Sequence, residues 1–166
     1  MLHLTRKLTI AAALLLSMSV AGYAKSTTID NITLDVPDAF EASASSRGVE
    51  LKTPDEEVFT WFEVYKGSEG DTLQAEHGKY WKENDVVLND PQLTDRKAGD
   101  IHVSTMFYPQ ATWQGKPTVL RYVKIGPVAA SGTMVLMTVW ASPEGINKHG
   151  KEVEHMLDTL NVKIPE

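Results

Sequence analysis

The sequence contains no cysteine among its 166 residues. No disulfide framework can form, so the stability of the folded chain must come from a hydrophobic core. Without cysteine there is also no residue for lipid attachment at a processed N-terminus. Internal repeats, low-complexity blocks and linkers rich in proline or serine are absent too. These absences favour one domain.

Positive charge is also scarce. The 16 Lys and Arg residues are outnumbered by 22 Asp and Glu residues, and the net charge is −6 with neutral histidines. Binding to nucleic acid depends on clustered Lys and Arg that neutralise phosphates. We therefore expect no nucleic-acid partner.

The first 24 residues have the order of a secretory signal peptide. Arg6 and Lys7 precede an apolar run over residues 8–20, and the small residues Gly22 and Ala24 follow it. The run is shorter than the ~20 residues that span a bilayer, which favours a cleaved signal over a retained anchor. We expect cleavage after Ala24 and one globular domain over residues 25–166. The product would be a monomer without a membrane anchor, either periplasmic or secreted.

The first half of this domain has strand patterns and one helix pattern. Alternating apolar residues predict strands around residues 32–36 and 49–52, and residues 58–65 are apolar on both faces of a third strand. A helix is predicted from Asp71, with Asp71 as its cap and Gln74 at the capping-box position. Its apolar face has helical spacing and consists of Leu73, His77, Tyr80 and Trp81.

The second half predicts an antiparallel meander that ends in a helix. Residues 100–108, 118–126 and 131–141 are joined by short connections, which favour hairpins. The segment 134–140 is apolar on both faces and should be a central strand. Ser142 and Pro143 then begin an amphipathic helix. Together the patterns predict an α+β fold, with helices packed on both faces of a mainly antiparallel sheet.

The order of these elements resembles the PsbP-like family. The features are a first strand that ends in Val36-Pro37, a helix near the middle, a late meander, and an ending of strand, Ser-Pro, helix and "LDTLNV". The resemblance covers about residues 29–162. This family includes the extrinsic photosystem II protein and bacterial envelope proteins of the DcrB type. The resemblance implies an α/β/α sandwich and an accessory or binding role, and it carries over no catalytic residue, metal site or cofactor.

Catalytic motifs are missing from the sequence. No G-x-S-x-G elbow is present, and Pro143 after Ser142 lacks the backbone N–H that an oxyanion hole would use. A helix cap is the better role for Ser142. We name no catalytic residue and expect no cofactor.

Histidine supports two alternatives. His77 or His102 with carboxylates would suit a periplasmic hydrolase, although His77 on an apolar helix face is more typical of a hydrogen-bonded, half-buried side chain. His149 and Glu152, three residues apart on the last helix, would suit weak binding of a divalent metal ion. A solvated polar face is the simpler interpretation of that pair, and no metal ligand is assigned.

The predicted binding residues are aromatic. Trp113 lies in a polar loop between two strands, with Tyr108 close to it in sequence, and Trp61 and Tyr65 lie on the second face of the third strand. Trp and Tyr are enriched at binding hot spots because they bury a large area with few rotatable bonds. The sequence predicts an exported, non-catalytic accessory or binding module of the bacterial envelope. Its partner would be an envelope protein or a small ligand, bound through these four side chains, unless Trp113 folds back over the core.

Overall fold

A computed structural model of the chain describes residues 25–29, 32–98 and 101–162. The predicted signal peptide, residues 1–24, lies outside the described residues. Within the described part, no helix is both long enough and apolar enough to cross a membrane.

The described residues contain thirteen strands and two α-helices. The helices are α1 (Gly70–Glu83), which follows a 3-10 turn at Gly67–Glu69, and α2 (Pro143–Asp158). The strands are β1 (Lys25–Ile29), β2 (Ile32–Val36), β3 (Glu41–Ser45), β4 (Gly48–Lys52), β5 (Val58–Lys66), β6 (Val86–Val87), β7 (Gln92–Ala98), β8 (Ile101–Tyr108), β9 (Thr112–Trp113), β10 (Lys116–Pro117), β11 (Val119–Gly126), β12 (Thr133–Ala141) and β13 (Asn161–Val162).

A seven-stranded sheet in the order β3-β4-β5-β12-β11-β8-β7 organises the fold, and all its neighbouring strands are antiparallel. β12 is the fourth strand, at the centre, as the apolar run over residues 134–140 predicted. Its position explains its composition, because a central strand covered on both sides needs apolar residues on both faces.

One face of this sheet, the α2 face, holds the main core. Val58 and Phe62 of β5 point to this side and pack in one buried cluster with Val153 and Met156 of α2. The small sheet β1-β2-β13 covers the rest of this cluster through residues such as Ile32.

The opposite face, the α1 face, is aromatic. The alternation along β5 sends Trp61 and Tyr65 to this side, where they pack near Trp81 and Leu73 of α1. A second small sheet, β10-β9-β6, lies beside α1. Helices therefore cover both faces, and the predicted α/β/α sandwich is confirmed.

The start of α2 has the predicted cap. Ser142 Oγ accepts a hydrogen bond from the backbone N–H of Gly145 at 2.8 Å, and Pro143 occupies the first helical position. The same hydroxyl donates to the carboxylate of Glu57 in the β4–β5 turn. The cap therefore also fixes the helix to that turn.

Two local predictions were wrong. α1 begins at Gly70, so Asp71 lies inside its first turn, and the carboxylate of Glu69 instead accepts from Lys66 N at 2.9 Å. His149 lies on the buried side of α2 and not on its solvated side, since its ring packs edge-on against Phe40 at 5.8 Å. The first error came from a capping pattern, which fixes a helix start only to within one or two residues. The second came from helical spacing, which leaves the edges of an apolar stripe undetermined.

Candidate ligand-binding site

One side of α1 forms the roof of two adjoining pockets. The residues on this side are spaced by three and four positions, as one helical face requires: Gly70, Leu73, Gln74, His77, Gly78 and Trp81. Gly78 matters because a Cβ atom added there would meet no atom within 4 Å. The missing side chain therefore leaves open space along this face.

The inner pocket has a volume of about 150 Å³ and lies between α1 and the centre of the sheet. Its floor comes from Tyr65 of β5, Leu136 of β12, Tyr122 and Lys124 of β11, and Met106 and Tyr108 of β8, with Leu88 at one end. Most of this lining is apolar or aromatic. A cavity of about this size with apolar walls accommodates a benzene-sized molecule.

Three tyrosines bring hydroxyl groups to the inner pocket. Burial raises the pKa of Tyr65, Tyr108 and Tyr122 further above neutrality than the ordinary tyrosine value, and all three hydroxyls carry a proton at neutral pH. Tyr122 Oη accepts a hydrogen bond from Trp81 Nε1, and its own proton has no acceptor among the described residues. It is therefore free to donate to a ligand.

Lys124 gives the inner pocket a positive charge. The residue is half-buried, and no carboxylate among the described residues forms an ion pair with it. A cation beside apolar walls favours a ligand with a negatively charged group.

The outer pocket has a volume of about 340 Å³ and lies on the other side of His77 and Trp81, which line both pockets. Its other walls are Ser45, Ser46, Glu50, Trp61, Glu63, Glu76 and Tyr80. It differs from the inner pocket in charge, because its ionisable groups are mostly carboxylates.

His77 and Glu63 form a polar pair between the two pockets. His77 Nε2 lies 2.7 Å from Glu63 Oε2, and the two side chains are only 16% and 12% exposed. The hydrogen-bonded, half-buried His77 is thus confirmed. The hydrolase alternative also needs a nucleophile, and no hydroxyl group among the described residues hydrogen-bonds to His77.

The four tryptophans of the chain belong to one aromatic cluster. Trp81 contacts Trp61 and Trp140 with ring centroids 6.2 and 5.5 Å apart, and Trp140 contacts Trp113 at 5.3 Å. Edge-to-face pairs of this kind contribute about 0.5–1.5 kcal/mol each beyond burial. The cluster packs α1 against the sheet beside the pockets.

Three of the four predicted site residues line one or the other of the two pockets. Tyr65 and Tyr108 line the inner pocket and Trp61 lines the outer one. Trp113 lines neither pocket. It lies on β9, packs edge-on against Trp140 and remains 41% exposed. Its role in partner binding stays a prediction.

Of the other pocket residues, sequence reasoning named only His77 as a candidate, in the hydrolase alternative. Leu73, Tyr80 and Trp81 were placed with it on one apolar helical face. The sequence around Tyr122 and Lys124 predicted a strand and nothing more. Whether these side chains lie opposite α1 depends on which face of the sheet the helix covers.

The metal hypothesis gains no support from the described residues. His149 Nδ1 is hydrogen-bonded to Glu152, and the His149 ring is buried. Across residues 25–29, 32–98 and 101–162, no group of three or more His, Asp or Glu side chains could hold a metal ion.

The fold and pocket define a PsbP-like α/β/α sandwich with a roofed, aromatic site. The chain is similar to the cyanobacterial PsbP (CyanoP) of Synechocystis, with a TM-score of 0.56 and 7% identity over 88% of this chain and 95% of that chain. It is also similar to the Ran-binding protein Mog1p of Saccharomyces cerevisiae, with a TM-score of 0.55 and 9% identity over 84% and 95%.

A third similar structure is LpqN, involved in cell envelope biogenesis of Mycobacterium tuberculosis. Its TM-score is 0.54, with 14% identity over 80% of this chain and 83% of that chain. No family model matches the sequence, and no curated protein matches it. At identities this low, the likeness establishes the fold alone.

Proposed function

We propose that this chain is a binding or accessory module whose inner pocket holds a small, mainly apolar ligand with one anionic group. The observation that carries the proposal is the composition of that pocket. Apolar and aromatic walls surround a few polar groups that converge on one space, which is typical of small-molecule sites. The volume of about 150 Å³ limits the buried part of the ligand to roughly the size of a benzene ring.

The preference for an anion follows from Lys124 and Tyr122. The ammonium group supplies a charge that has no carboxylate partner among the described residues, and the Tyr122 hydroxyl supplies a proton that has no acceptor there. A carboxylate uses both, while its apolar body lies against Leu73 and Leu136. Aromatic or branched aliphatic carboxylates are the proposed ligand class.

We place this function in the bacterial envelope. The N-terminal pattern of basic, apolar and small residues supports export, and the absence of cysteine supports a form without a lipid anchor. LpqN, one of the similar structures, is involved in cell envelope biogenesis, and Mog1p binds Ran. These names support a binding or accessory role in general and identify no partner.

Thermal unfolding with benzoate tests the ligand class. A ligand that binds only the native state raises the Tm, so benzoate should stabilise the natural protein. Lys124→Met should bind benzoate about fivefold more weakly, because it removes roughly 1 kcal/mol of attraction between opposite charges. Lys116→Met, at an exposed position of β10, is the matched control and should behave like the natural protein.

Benzyl alcohol tests the binding of an apolar ring separately from the preference for an anionic group. As a neutral ligand of the same shape, it should stabilise the natural protein and Lys124→Met equally. If neither compound changes the Tm, the inner pocket is not a site for this class of ligand. If Lys124→Met binds benzoate as tightly as Lys116→Met, the preference for an anion is wrong.

A further inference from the structure

The outer pocket has three aromatic rings that meet nearly at right angles. Trp61 and Tyr80 are inclined by 71° with centroids 6.3 Å apart, Trp61 and Trp81 by 72° at 6.2 Å, and Tyr80 and Trp81 by 80° at 5.0 Å. All three side chains line the same cavity of about 340 Å³. The three rings therefore form one corner of this cavity. The π-electron density of an aromatic ring face attracts cations.

The charged side chains around this corner also favour a cationic ligand. Glu50 accepts from Trp61 Nε1 at 2.8 Å and has no basic partner within 4 Å among the described residues. Of the other two carboxylates that line the pocket, Glu76 pairs with Arg47 and Glu63 with His77. Negative charge therefore remains in excess whether His77 is neutral or protonated.

The field of Glu50 reaches the aromatic corner. Burial raises the pKa of Tyr80, and the nearby negative charge of Glu50 raises it further. Glu50 thus lies close enough to stabilise a positive charge held beside the Tyr80 ring. Tyr80 is 42% exposed, so the corner is reachable from solvent.

Ser45 provides an independent sign that this pocket is incomplete. Ser45 lines the pocket, and its Oγ is buried without a hydrogen-bond partner among the described residues. A change of the χ1 rotamer would offer this hydroxyl to a ligand. Buried polar groups are normally satisfied, so an unused one at a pocket wall suggests a missing partner.

We propose that the outer pocket binds a methylated ammonium group, with Trp61, Tyr80 and Trp81 as the aromatic walls and Glu50 as the charge partner. Methylated cations suit this corner better than a primary ammonium ion. Their charge is spread over apolar methyl groups that pack on rings, whereas a primary ammonium ion would give up strong hydrogen bonds to water. The site is separate from the carboxylate site of the inner pocket, so either proposal can fail without the other.

Choline is the probe for this proposal. Fluorescence titration of the natural protein is suitable because Trp61 and Trp81 line the pocket, and sodium chloride keeps the ionic strength constant. We expect saturable binding of choline. Its neutral carbon isostere, 3,3-dimethylbutan-1-ol, should bind about tenfold more weakly, because it has the same shape without the charge. Ethanolamine, the primary amine, should also bind more weakly than choline.

Two pairs of variants locate the site. Glu50→Gln keeps an acceptor for Trp61 Nε1 but removes the charge, and choline should bind about fivefold more weakly. Glu144→Gln, at an exposed position of α2, should leave the affinity unchanged. Tyr80→Ala should weaken binding about fivefold, whereas Tyr80→Phe, which keeps the ring, should stay within about twofold. Circular dichroism on each variant confirms that the fold is kept.

Three outcomes would overturn the proposal. One is the absence of saturable binding at millimolar choline. Another is equal affinity for choline and 3,3-dimethylbutan-1-ol, which would mean that the corner is only apolar. The third is equal weakening by Glu50→Gln and Glu144→Gln, which would mean that choline senses the net charge of the protein and not this pocket.

Discussion

Trp81 is the residue on which both pockets depend. Its ring is 3% exposed, it forms a wall of each pocket, and its indole N–H donates to Tyr122. That hydrogen bond turns the Tyr122 hydroxyl, so that its one proton is left for the inner pocket. Trp81 therefore separates the proposed anion-binding pocket from the proposed cation-binding pocket. It also orients the Tyr122 hydroxyl of the inner pocket. A ligand in one pocket would be sensed in the other if it moved this ring.

Ser142 tests how much a single hydroxyl contributes to the fold. Ser142→Ala removes both the cap on Gly145 N and the donor to Glu57, so we expect a loss of about 1 kcal/mol in the free energy of unfolding. Ser142→Asn keeps a capping acceptor and should lose less. Urea unfolding measures both changes, with benzoate and choline binding as the control for function. Weaker ligand binding by a still stable Ser142→Ala protein would contradict the architectural role.

At the residue scale, the sequence indicated which side chains need cover but not which neighbours provide it. Tyr65 and Tyr108 were chosen as aromatic contact residues, and both line the inner pocket. Trp113 was chosen because a loop tryptophan is costly to expose, yet its ring packs partly on Trp140. The residue type shows that a side chain needs cover. Which neighbour covers it depends on the tertiary fold.

At the scale of elements, a strand could be predicted from the sequence when both of its faces are buried. The strand β12 was recognisable because both its faces are apolar. The edge strands β3, "EASAS", and β7, "QLTDRKA", have no alternating large apolar residues and were not predicted. An edge strand is specified largely by the backbone hydrogen bonds of its neighbour, and its side chains carry little pattern. The roof helix α1 was predicted, but its pocket was not, since a pocket is the space that two elements leave between them.

Two glycines of α2 should respond in opposite directions to the same substitution. In Gly145→Ala, the new Cβ atom would lie 2.5 Å from the backbone oxygen of Glu57, and relieving this overlap should cost about 1–3 kcal/mol. In Gly150→Ala, the nearest atom is a side-chain carbon of Ile146 at 3.9 Å. That variant should gain up to about 1 kcal/mol from helix propensity.

Urea unfolding of the two variants, compared with the natural protein, measures this difference. Gly150→Ala serves as the control for helix propensity, so any excess loss in Gly145→Ala reports the contact between α2 and the β4–β5 turn. If Gly145→Ala were as stable as the natural protein, this close approach would not constrain the fold.

At the scale of the whole molecule, the two faces of the sheet differ in how fully their helices are buried. The α2 face contains the main core, with Gly145, His149, Val153 and Met156 of the helix buried. The α1 face contains the inner and outer pockets, and only Leu73 and Trp81 of that helix are buried among the described residues. The capping of the N-termini also differs, because Ser142 caps the start of α2 and no side chain caps the start of α1. Less burial and a weaker start lower the free energy needed to open a helix locally.

Native-state hydrogen exchange should therefore show α1 exchanging faster than α2. Local opening of α1 would also admit ligands to the inner pocket, so benzoate should slow the exchange of α1 and leave that of α2 nearly unchanged. Gly78→Ala tests whether the low local stability of α1 causes its faster exchange. Its Cβ atom meets no atom within 4 Å, and the higher helix propensity should protect α1 by up to about 1 kcal/mol without altering α2. Mass spectrometry of peptides from both helices, corrected for intrinsic exchange rates, gives the comparison. Equal protection of the two helices would mean that the sandwich opens only as a whole, and that ligands enter the inner pocket without local opening of α1.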